Sequence, residues 1–245
     1  AYADKNAGVD KLVAIGGSVG LSGADAGNYR VALAKGTITP RALATWTASG
    51  GGLWSDAGNW QDGVAPSGAN VLAAAVNNTG GVVTYDSGAG ATTLTSLRAS
   101  GQGVRVTGGT LTLSGVGDAA SYATGGGLLL GGGALVLNGE MQISNLVLGG
   151  GVLSGTGAAT RLDIGTLAQS GGRIDIDGVL SVGNGGDISI GNVRANAGMT
   201  LDAAHGAITQ SGALVTDSLQ AFAANGIALT DTGNRVGAFG AVAGG

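Results

Sequence analysis

The sequence predicts an all-β protein: a right-handed parallel β-helix, which is a solenoid, preceded by a partial small β module. Three observations lead to this prediction. Short apolar segments alternate with Gly, Asn and Asp, and several of these segments recur about every twenty residues. In addition, glycine supplies 52 of the 245 residues, whereas charged residues supply only 11%.

The apolar segments indicate strands. From about Leu94 onward, each segment is three or four residues long and either alternates apolar with polar residues or is apolar throughout. Both patterns are typical of strands of three to five residues, and the Gly, Asn and Asp between them tolerate the positive φ of tight turns. No window repeats apolar residues at helical spacing, so helix is not expected. Examples of the predicted strands are 104–106, 111–113, 128–130, 135–137, 146–148, 174–176 and 188–190.

The spacing of the repeats indicates coils that stack. Gly186, Gly206 and Gly226 lie twenty residues apart. Residues 203–206 realign with 223–226 at the same interval, and 149–153 repeats 131–135 at an interval of eighteen. Repeats of this length cannot bury their apolar sides alone, so they predict a solenoid. About eight or nine coils would form a rod roughly 40 Å long. A sandwich or meander is the competing interpretation, but Asn-Gly hairpin signals are too infrequent to favour it.

Composition excludes several classes of protein. An ordinary globular domain has roughly 7% Gly and about 25% charged residues, and a disordered chain is rich in charge. Two prolines and the lack of a Gly-X-Y period exclude collagen. The net charge of −4 is scattered, without the basic stripe of a nucleic-acid-binding protein. The longest apolar run, Val71–Val76, is far too short to span a bilayer, so membrane insertion is not expected. With no cysteine, a disulfide framework and thiolate metal sites are also excluded.

The chain divides into three predicted regions. Residues 1–43 lack the twenty-residue period, and Pro40 should end a strand run near their boundary, so they are interpreted as the C-terminal part of a small β module. Residues 44–93 form a Trp-rich junction with the first coils or cap of the β-helix. Residues 94–245 form the regular coils.

Three blocks in the first region carry a resemblance. Tyr-Ala-Asp-Lys-Asn-Ala-Gly at 2–8, Leu-Ser-Gly-Ala-Asp-Ala-Gly-Asn-Tyr at 21–29 and Gly-Thr-Ile-Thr-Pro-Arg at 36–41 occur in this order. They resemble the latter part of a repeat module found in large bacterial exoproteins of the filamentous-haemagglutinin type. The opening Tyr-Asp-Gly strand of that module is missing, so the chain is expected to begin inside a module.

Later segments carry related resemblances. Residues 52–66, Gly-Leu-Trp-Ser-Asp-Ala-Gly-Asn-Trp-Gln-Asp-Gly-Val-Ala-Pro, are similar to a tryptophan motif at the start of passenger β-helices of secreted adhesins. Asn-Ala-Gly-Met-Thr-Leu-Asp-Ala at 196–203 and Gly-Ala-Ile-Thr-Gln-Ser-Gly at 206–212 resemble the coil repeat of haemagglutinin-type two-partner-secretion proteins.

The family implies a secreted, bacterial cell-surface protein exported through an outer-membrane β-barrel transporter. Its implied role is adhesion, aggregation or biofilm-matrix attachment, with a host-cell surface or an exopolysaccharide as the possible partner. The absence of cysteine fits export as an extended chain. Coils can also fold one after another as such a chain emerges.

The tryptophans have two interpretations. Trp46, Trp54 and Trp60 lie within fifteen residues and could line a carbohydrate groove, which would make this a binding module. Alternatively, Trp54 and Trp60 cover the open end of the β-helix core, as a solenoid requires. The sequence favours the cap.

An enzymatic role is the remaining alternative. Polysaccharide hydrolases and lyases of β-helical fold need carboxylates at a set separation, and Asp175 and Asp177, with Asp163 and Asp187, are the candidates. A solvated face explains these aspartates equally well, and the hydrolase signatures Asn-Thr-Asp, Asp-Asp and Gly-His-Gly are absent.

The single histidine, His205, fits an exposed turn, and the nonapeptide-like stretch at 183–190 occurs once, too few times for a calcium roll. The sequence therefore predicts no enzyme, cofactor or metal site, and a structural segment of an adhesin.

Overall fold

The computed structural model confirms the all-β, β-helical prediction. It describes residues 7–13, 22–28, 34–77, 79–101 and 103–244, with the backbone alone for Asn184. A parallel β-solenoid of about eight turns follows a small antiparallel sheet. Within these residues, helical structure is limited to short 3₁₀ turns at Ala26–Asn28, Ala57–Asn59, Gln61–Gly63, Ser87–Ala89 and Gly117–Ala119.

The small sheet pairs β1 (Gly8–Leu12) with β2 (Lys35–Ile38). Pro40 lies between β2 and the first strand of the solenoid, which begins at Arg41. This position suits a residue that cannot donate to a ladder. Tyr2, Leu21 and Tyr29, which belong to two of the blocks resembling the exoprotein module, lie outside the described residues.

The solenoid consists of short strands in chain order. They are β3 (Arg41–Thr45), β4 (Gly50–Leu53), β5 (Val71–Val76), β6 (Gly80–Tyr85), β7 (Ala91–Leu94), β8 (Ser96–Ala99), β9 (Val104–Val106), β10 (Thr110–Leu113), β11 (Ser121–Ala123), β12 (Leu128–Leu130), β13 (Ala134–Leu137), β14 (Glu140–Leu148), β15 (Val152–Gly155), β16 (Arg161–Gln169), β17 (Arg173–Ile176), β18 (Val179–Asn184), β19 (Ile188–Ile190), β20 (Val193–Ala195), β21 (Gly198–Ala203), β22 (Ile208–Gln210), β23 (Leu214–Ala223), β24 (Ile227–Ala228) and β25 (Arg235–Ala243). All seven segments given as predicted strands lie within them.

The strands form three faces along the rod. Face 1 contains β3, β5, β8, β11, the first halves of β14 and β16, β18, β21, and the second halves of β23 and β25. Face 2 contains β4, β6, β9, β12, the second halves of β14 and β16, β19, β22 and β24. Face 3 contains β7, β10, β13, β15, β17, β20, and the first halves of β23 and β25.

Inward side chains stack in ladders because the coils are in register. On face 3, Leu111 pairs with Leu135, which pairs with Leu153, and these three residues are fully buried. The same inward column continues through Ile174, Val193 and Leu214. Fully burying one such side chain stabilises the fold by about 1.5–3 kcal/mol. The core is therefore one continuous apolar column.

The register also confirms the repeats predicted from the sequence. Ile188 pairs with Ile208, and Ala203 pairs with Ala223. The interval of eighteen reappears as the pairing of Ala134 with Val152. The coils are thus aligned by the same residues that recur in the sequence.

Glycines stack at the turn between faces 2 and 3. Gly109, Gly133, Gly151 and Gly172 have φ angles of 71°, 66°, 71° and 65°. A Cβ added to Gly133 would lie 2.7 Å from the Gly109 carbonyl oxygen, and one added to Gly151 would lie 2.7 Å from that of Gly133. Those carbonyls accept hydrogen bonds from Ala134 and Val152 of the next coil. Glycine is required here both for positive φ and for close stacking.

Candidate functional site

The three tryptophans form one aromatic cluster at the N-terminal end of the solenoid core. Trp46 follows β3 and Trp54 follows β4, while Trp60 lies on the segment that folds back and forms an antiparallel bridge with Trp46. Ring centroids are 5.2 Å apart for Trp46 and Trp60 and 4.7 Å apart for Trp54 and Trp60, in edge-to-face geometry. Such pairs stabilise beyond the area that they bury.

Hydrogen bonds hold two of the indoles in place. Trp54 Nε1 donates to the Pro66 carbonyl at 2.9 Å, and Trp60 Nε1 donates to the Trp54 carbonyl at 2.7 Å. Trp46 Nε1 is buried without a partner among the described residues. An unsatisfied buried donor costs about 1–3 kcal/mol, so Trp46 is the least well accommodated of the three.

Tyr85 extends the cluster into the second coil. Its ring lies 5.4 Å from that of Trp54, and its hydroxyl donates to the Thr110 carbonyl at 2.8 Å. Burial raises the pKa of this hydroxyl above its ordinary value of 10.0, because the phenolate would be desolvated. Nothing in the sequence patterns had singled out Tyr85.

Burial of the indoles bears on their two interpretations. Trp46, Trp54 and Trp60 expose 6%, 0% and 2% of their surface. A sugar stacks on an open ring face, and these rings are packed against one another and the core. The geometry therefore favours the cap and gives no support to a carbohydrate groove at these residues.

The candidate catalytic aspartates are engaged by an arginine. Asp175 and Asp177 both form ion pairs with Arg194 of the next coil, whose Nε donates to Asp175 and whose terminal nitrogen lies 3.4 Å from Asp177 Oδ1. Asn196 adds a hydrogen bond to Asp177 at 2.9 Å. One guanidinium thus holds both carboxylates on the outer side of face 3.

The other acidic candidates lie elsewhere. Asp163 is on face 1, where Arg161 donates to it at 2.9 Å, and this hydrogen bond raises the pKa of the Arg161 guanidinium. Asp187 precedes face 2 and accepts from the backbone N–H of Ala207 at 2.8 Å. Because these aspartates belong to different faces, the coils do not bring the four of them into one acidic patch.

His205 lies in the turn where the sequence predicted it. Its side chain is exposed, and its carbonyl accepts from Asn225, the residue that occupies the same turn position in the next coil. Within the described ranges, no group of three or more His, Cys, Asp or Glu is placed to hold a metal ion.

Face 1 carries an open polar groove of about 530 Å³. Outward side chains of successive coils line it, with Gln142 paired to Asp163 and Asp163 paired to Ser181. Gly165 and Gly183 form its floor beside them. Sequence patterns had not identified this groove. The signal in the sequence is a polar residue between two inward apolar residues, as in Met-Gln-Ile, Leu-Asp-Ile and Leu-Ser-Val. The groove can be recognised only when the register of the coils is known, because the register aligns these polar residues.

A second cavity, of about 390 Å³, lies where the small sheet meets residues 54–66, the Trp segment. Arg41 lines it, yet its guanidinium already donates to Asp62 at 2.8 Å and to the Gln61 carbonyl at 3.2 Å. These contacts tie the Trp segment to the first strand of the solenoid, which is a structural role.

Comparison with known proteins gives no match to a family model, to a curated protein or to a solved structure. None of the helices in the described part of the chain has the length and apolar character needed to cross a membrane.

Proposed function

We propose that this chain is a structural segment of a large secreted bacterial adhesin. It acts as a stiff β-helical rod on the cell surface and serves adhesion, aggregation or attachment to a biofilm matrix. The β-solenoid is consistent with this role, and the resemblance to filamentous-haemagglutinin-type exoproteins gives the proposal its biological setting.

The observation that carries the proposal is the continuity of the ladder along the rod. Every strand from β3 to β25 belongs to one hydrogen-bonded sheet, and the inward column on face 3 runs unbroken from Leu111 to Leu214. Each coil contacts only its neighbours, so a load along the axis is shared by all of the ladder bonds between two coils. Such a scaffold is suited to holding a distant binding region away from a cell.

The polar residues at the turns support the same role. Gln210 and Asn234 of neighbouring coils exchange hydrogen bonds of 2.9 Å, and the Asn234 side chain also accepts from the Leu214 N–H at 2.9 Å. Gln169 accepts from the Gly191 N–H at 2.9 Å. These amides bind one coil to the next, as mechanical coupling requires.

Two alternatives remain weaker. A carbohydrate-binding module built on the Trp cluster would need exposed rings, and the rings are buried. A polysaccharide hydrolase or lyase would need carboxylates free to act on a substrate, and Arg194 engages both Asp175 and Asp177. The non-enzymatic rod is therefore the function that the arrangement supports best.

The proposal includes export through an outer-membrane β-barrel transporter. It is tested by tagging the chain within its gene in the source bacterium and measuring whether external protease removes the tag from intact cells. We expect surface exposure in the parent strain and loss of it when the transporter gene is deleted. A tag that stays protected in both strains would overturn the secreted location.

The rod role is tested by replacing residues 44–245 with an equal number of unrelated β-helix coils in the same gene. Retained export with retained adhesion would support a spacer whose surface side chains are interchangeable. Retained export with lost adhesion would place a binding site on this segment. If an unrelated, flexible replacement preserved adhesion equally well, stiffness would be irrelevant and the rod proposal would fail.

A further inference from the structure

The polar groove on face 1 is shaped by two glycines in neighbouring coils. Gly165 follows Ile164 and Gly183 follows Val182, and these two aliphatic residues are paired across the ladder. Both glycines are exposed. A Cβ added to Gly183 would meet no atom within 4 Å, whereas one added to Gly165 would lie 2.6 Å from the Ser144 carbonyl oxygen. The outer surface therefore dips at these positions and exposes backbone beside the neighbouring column of side chains.

That neighbouring column supplies the hydrogen-bonding groups of the groove. Tyr122, Gln142, Asp163 and Ser181 pair in turn across four successive coils. Paired residues of adjacent coils are separated by about 4.8 Å, the spacing of strands in a sheet. A chain-like ligand lying along the rod axis would meet one of these side chains at every coil.

Unlike the amides at the turns, the side chains of this column have hydrogen-bonding groups that no protein group in the described part of the chain occupies. Within the described ranges, no hydrogen bond from protein occupies the side chains of Gln142 and Ser181, whereas Gln169 and Gln210 are bonded to neighbouring coils. Arg161 occupies Oδ2 of Asp163, which leaves Oδ1 as an acceptor. An amide, a hydroxyl and a carboxylate oxygen together offer the donors and acceptors that match a polyol.

Tyr122 adds an aromatic surface next to the groove, in the coil before that of Gln142, although it is not one of the lining residues. It is 37% exposed and directly precedes Gln142 in the column, while the tryptophans and Tyr85 are buried. A tyrosine ring with an apolar body and a polar tip can pack against a sugar ring and bond its hydroxyls. Because Asp163 and Arg161 compensate each other in the groove, a strongly charged ligand is disfavoured.

We infer that the groove on face 1 binds a neutral oligosaccharide lying along the rod axis. Tyr122 packs against one sugar ring, and Gln142, Asp163 and Ser181 bond the hydroxyls of the following units. This inference goes beyond the rod function and does not depend on where the rod is displayed.

The test measures binding of the full 245-residue chain to immobilised neutral hexasaccharides of glucose, mannose, galactose and N-acetylglucosamine, with heparin as the anionic probe. We expect saturable binding to at least one neutral hexasaccharide. Tyr122→Ala removes the ring that packs against a sugar, and Gly183→Leu fills the space over the exposed backbone of the groove. Each variant should weaken binding of the hexasaccharide about tenfold or more. Ser181→Ala serves as a milder third variant, and the melting temperature of each variant reports folding.

Matched controls lie on the same face, outside the groove. Phe222→Ala removes an aromatic ring of similar exposure, 39%, and Gly240→Leu adds a side chain where a Cβ would also meet nothing within 4 Å. Both should bind like the unaltered chain. The inference is overturned if no neutral hexasaccharide binds, if heparin alone binds, or if the controls lose binding as much as the groove variants.

Discussion

At the scale of single residues, two glycines of one turn show how backbone geometry sets the role of a position. Gly131 and Gly133 belong to the same turn, yet they have different roles. Gly133 has a φ of 66° and stacks on Gly109, whereas Gly131 lacks positive φ and a Cβ added there would find its nearest atom 3.9 Å away. The same residue type is therefore indispensable at one position and replaceable two residues earlier.

Replacing Gly133 with alanine should destabilise the fold by about 1–3 kcal/mol, the cost of a left-handed backbone conformation in a residue with a Cβ. Steric conflict with the carbonyl of Gly109 adds to this cost. Gly131→Ala is the matched control and should leave stability unchanged or slightly raised. Urea unfolding followed by circular dichroism measures both, and equal destabilisation by the two variants would contradict this account of the glycine stack.

Burial of Tyr85 should make the free energy of unfolding fall at alkaline pH. The unfolded tyrosine ionises near 10.0, while burial raises the pKa of the folded one. The stabilisation is complete below about pH 10 and is lost as the pH rises toward the folded pKa, because the unfolded chain releases its proton first.

Tyr85→Phe should therefore lose less stability than the unaltered chain when the pH is raised from about 9 to 11. At neutral pH the variant should be less stable by about 1 kcal/mol, since it lacks the hydrogen bond to Thr110. Tyr122→Phe changes an exposed ring and should follow the unaltered chain throughout. Thermal melts across this pH range test the expectation, which fails if both variants behave alike.

At the scale of structural elements, the Trp segment closes the end of the core that lies next to the small sheet. Residues of this segment reach across the first coil through the Trp46–Trp60 bridge and the hydrogen bond from Arg41 to Asp62. Without such a closure, the apolar interior of the first coil would face water, which stacked repeats must avoid at their ends.

Trp54→Ala should cost about 3–5 kcal/mol, because it removes a fully buried ring and its hydrogen bond to Pro66. Leu53→Ala is the neighbouring control, since Leu53 is 48% exposed. Chemical denaturation measures both, and a cost below 1 kcal/mol for Trp54 would argue against the cap. A shift of tryptophan fluorescence on adding hexasaccharides would revive the sugar-stacking interpretation of these residues.

At the scale of the whole molecule, the coil is the unit that can be added or removed. Val152 pairs with Arg173 in the next coil, so residues 152–172 make up one coil. Removing them joins Gly151 to Arg173, which preserves the glycine stack and brings Ala134 opposite Arg173.

We expect the deletion of 152–172 to leave a folded rod that is shorter by about 4.8 Å. Deleting 152–162 instead should abolish cooperative unfolding, because residues of face 1 would be forced into face 3. Circular dichroism and small-angle X-ray scattering distinguish the two products. Equal loss of structure in both would show that the coils are not independent units.

The architecture could be predicted from the sequence because a solenoid is built from local rules. Alternating segments such as Leu111–Thr112–Leu113 place one side of a strand inward, and recurring glycines mark the turns that bring the next coil into register. These signals involve residues close together in the sequence and recur in many coils. A chance occurrence of the pattern at one position therefore does not change the predicted fold.

The candidate sites depended on contacts that the sequence does not display. Whether Trp54 faces a sugar or the core, and whether Asp175 is free or held by Arg194, depends on which coil lies above and which loop folds back. The sequence by itself determined the fold class, the strands and the coil length, because these follow from periodicity. Only the tertiary structure decided the burial of the tryptophans, the engagement of the aspartates and the groove on face 1. The first depends on a segment that folds back onto the first coil, and the other two join side chains of neighbouring coils through the register of the ladder.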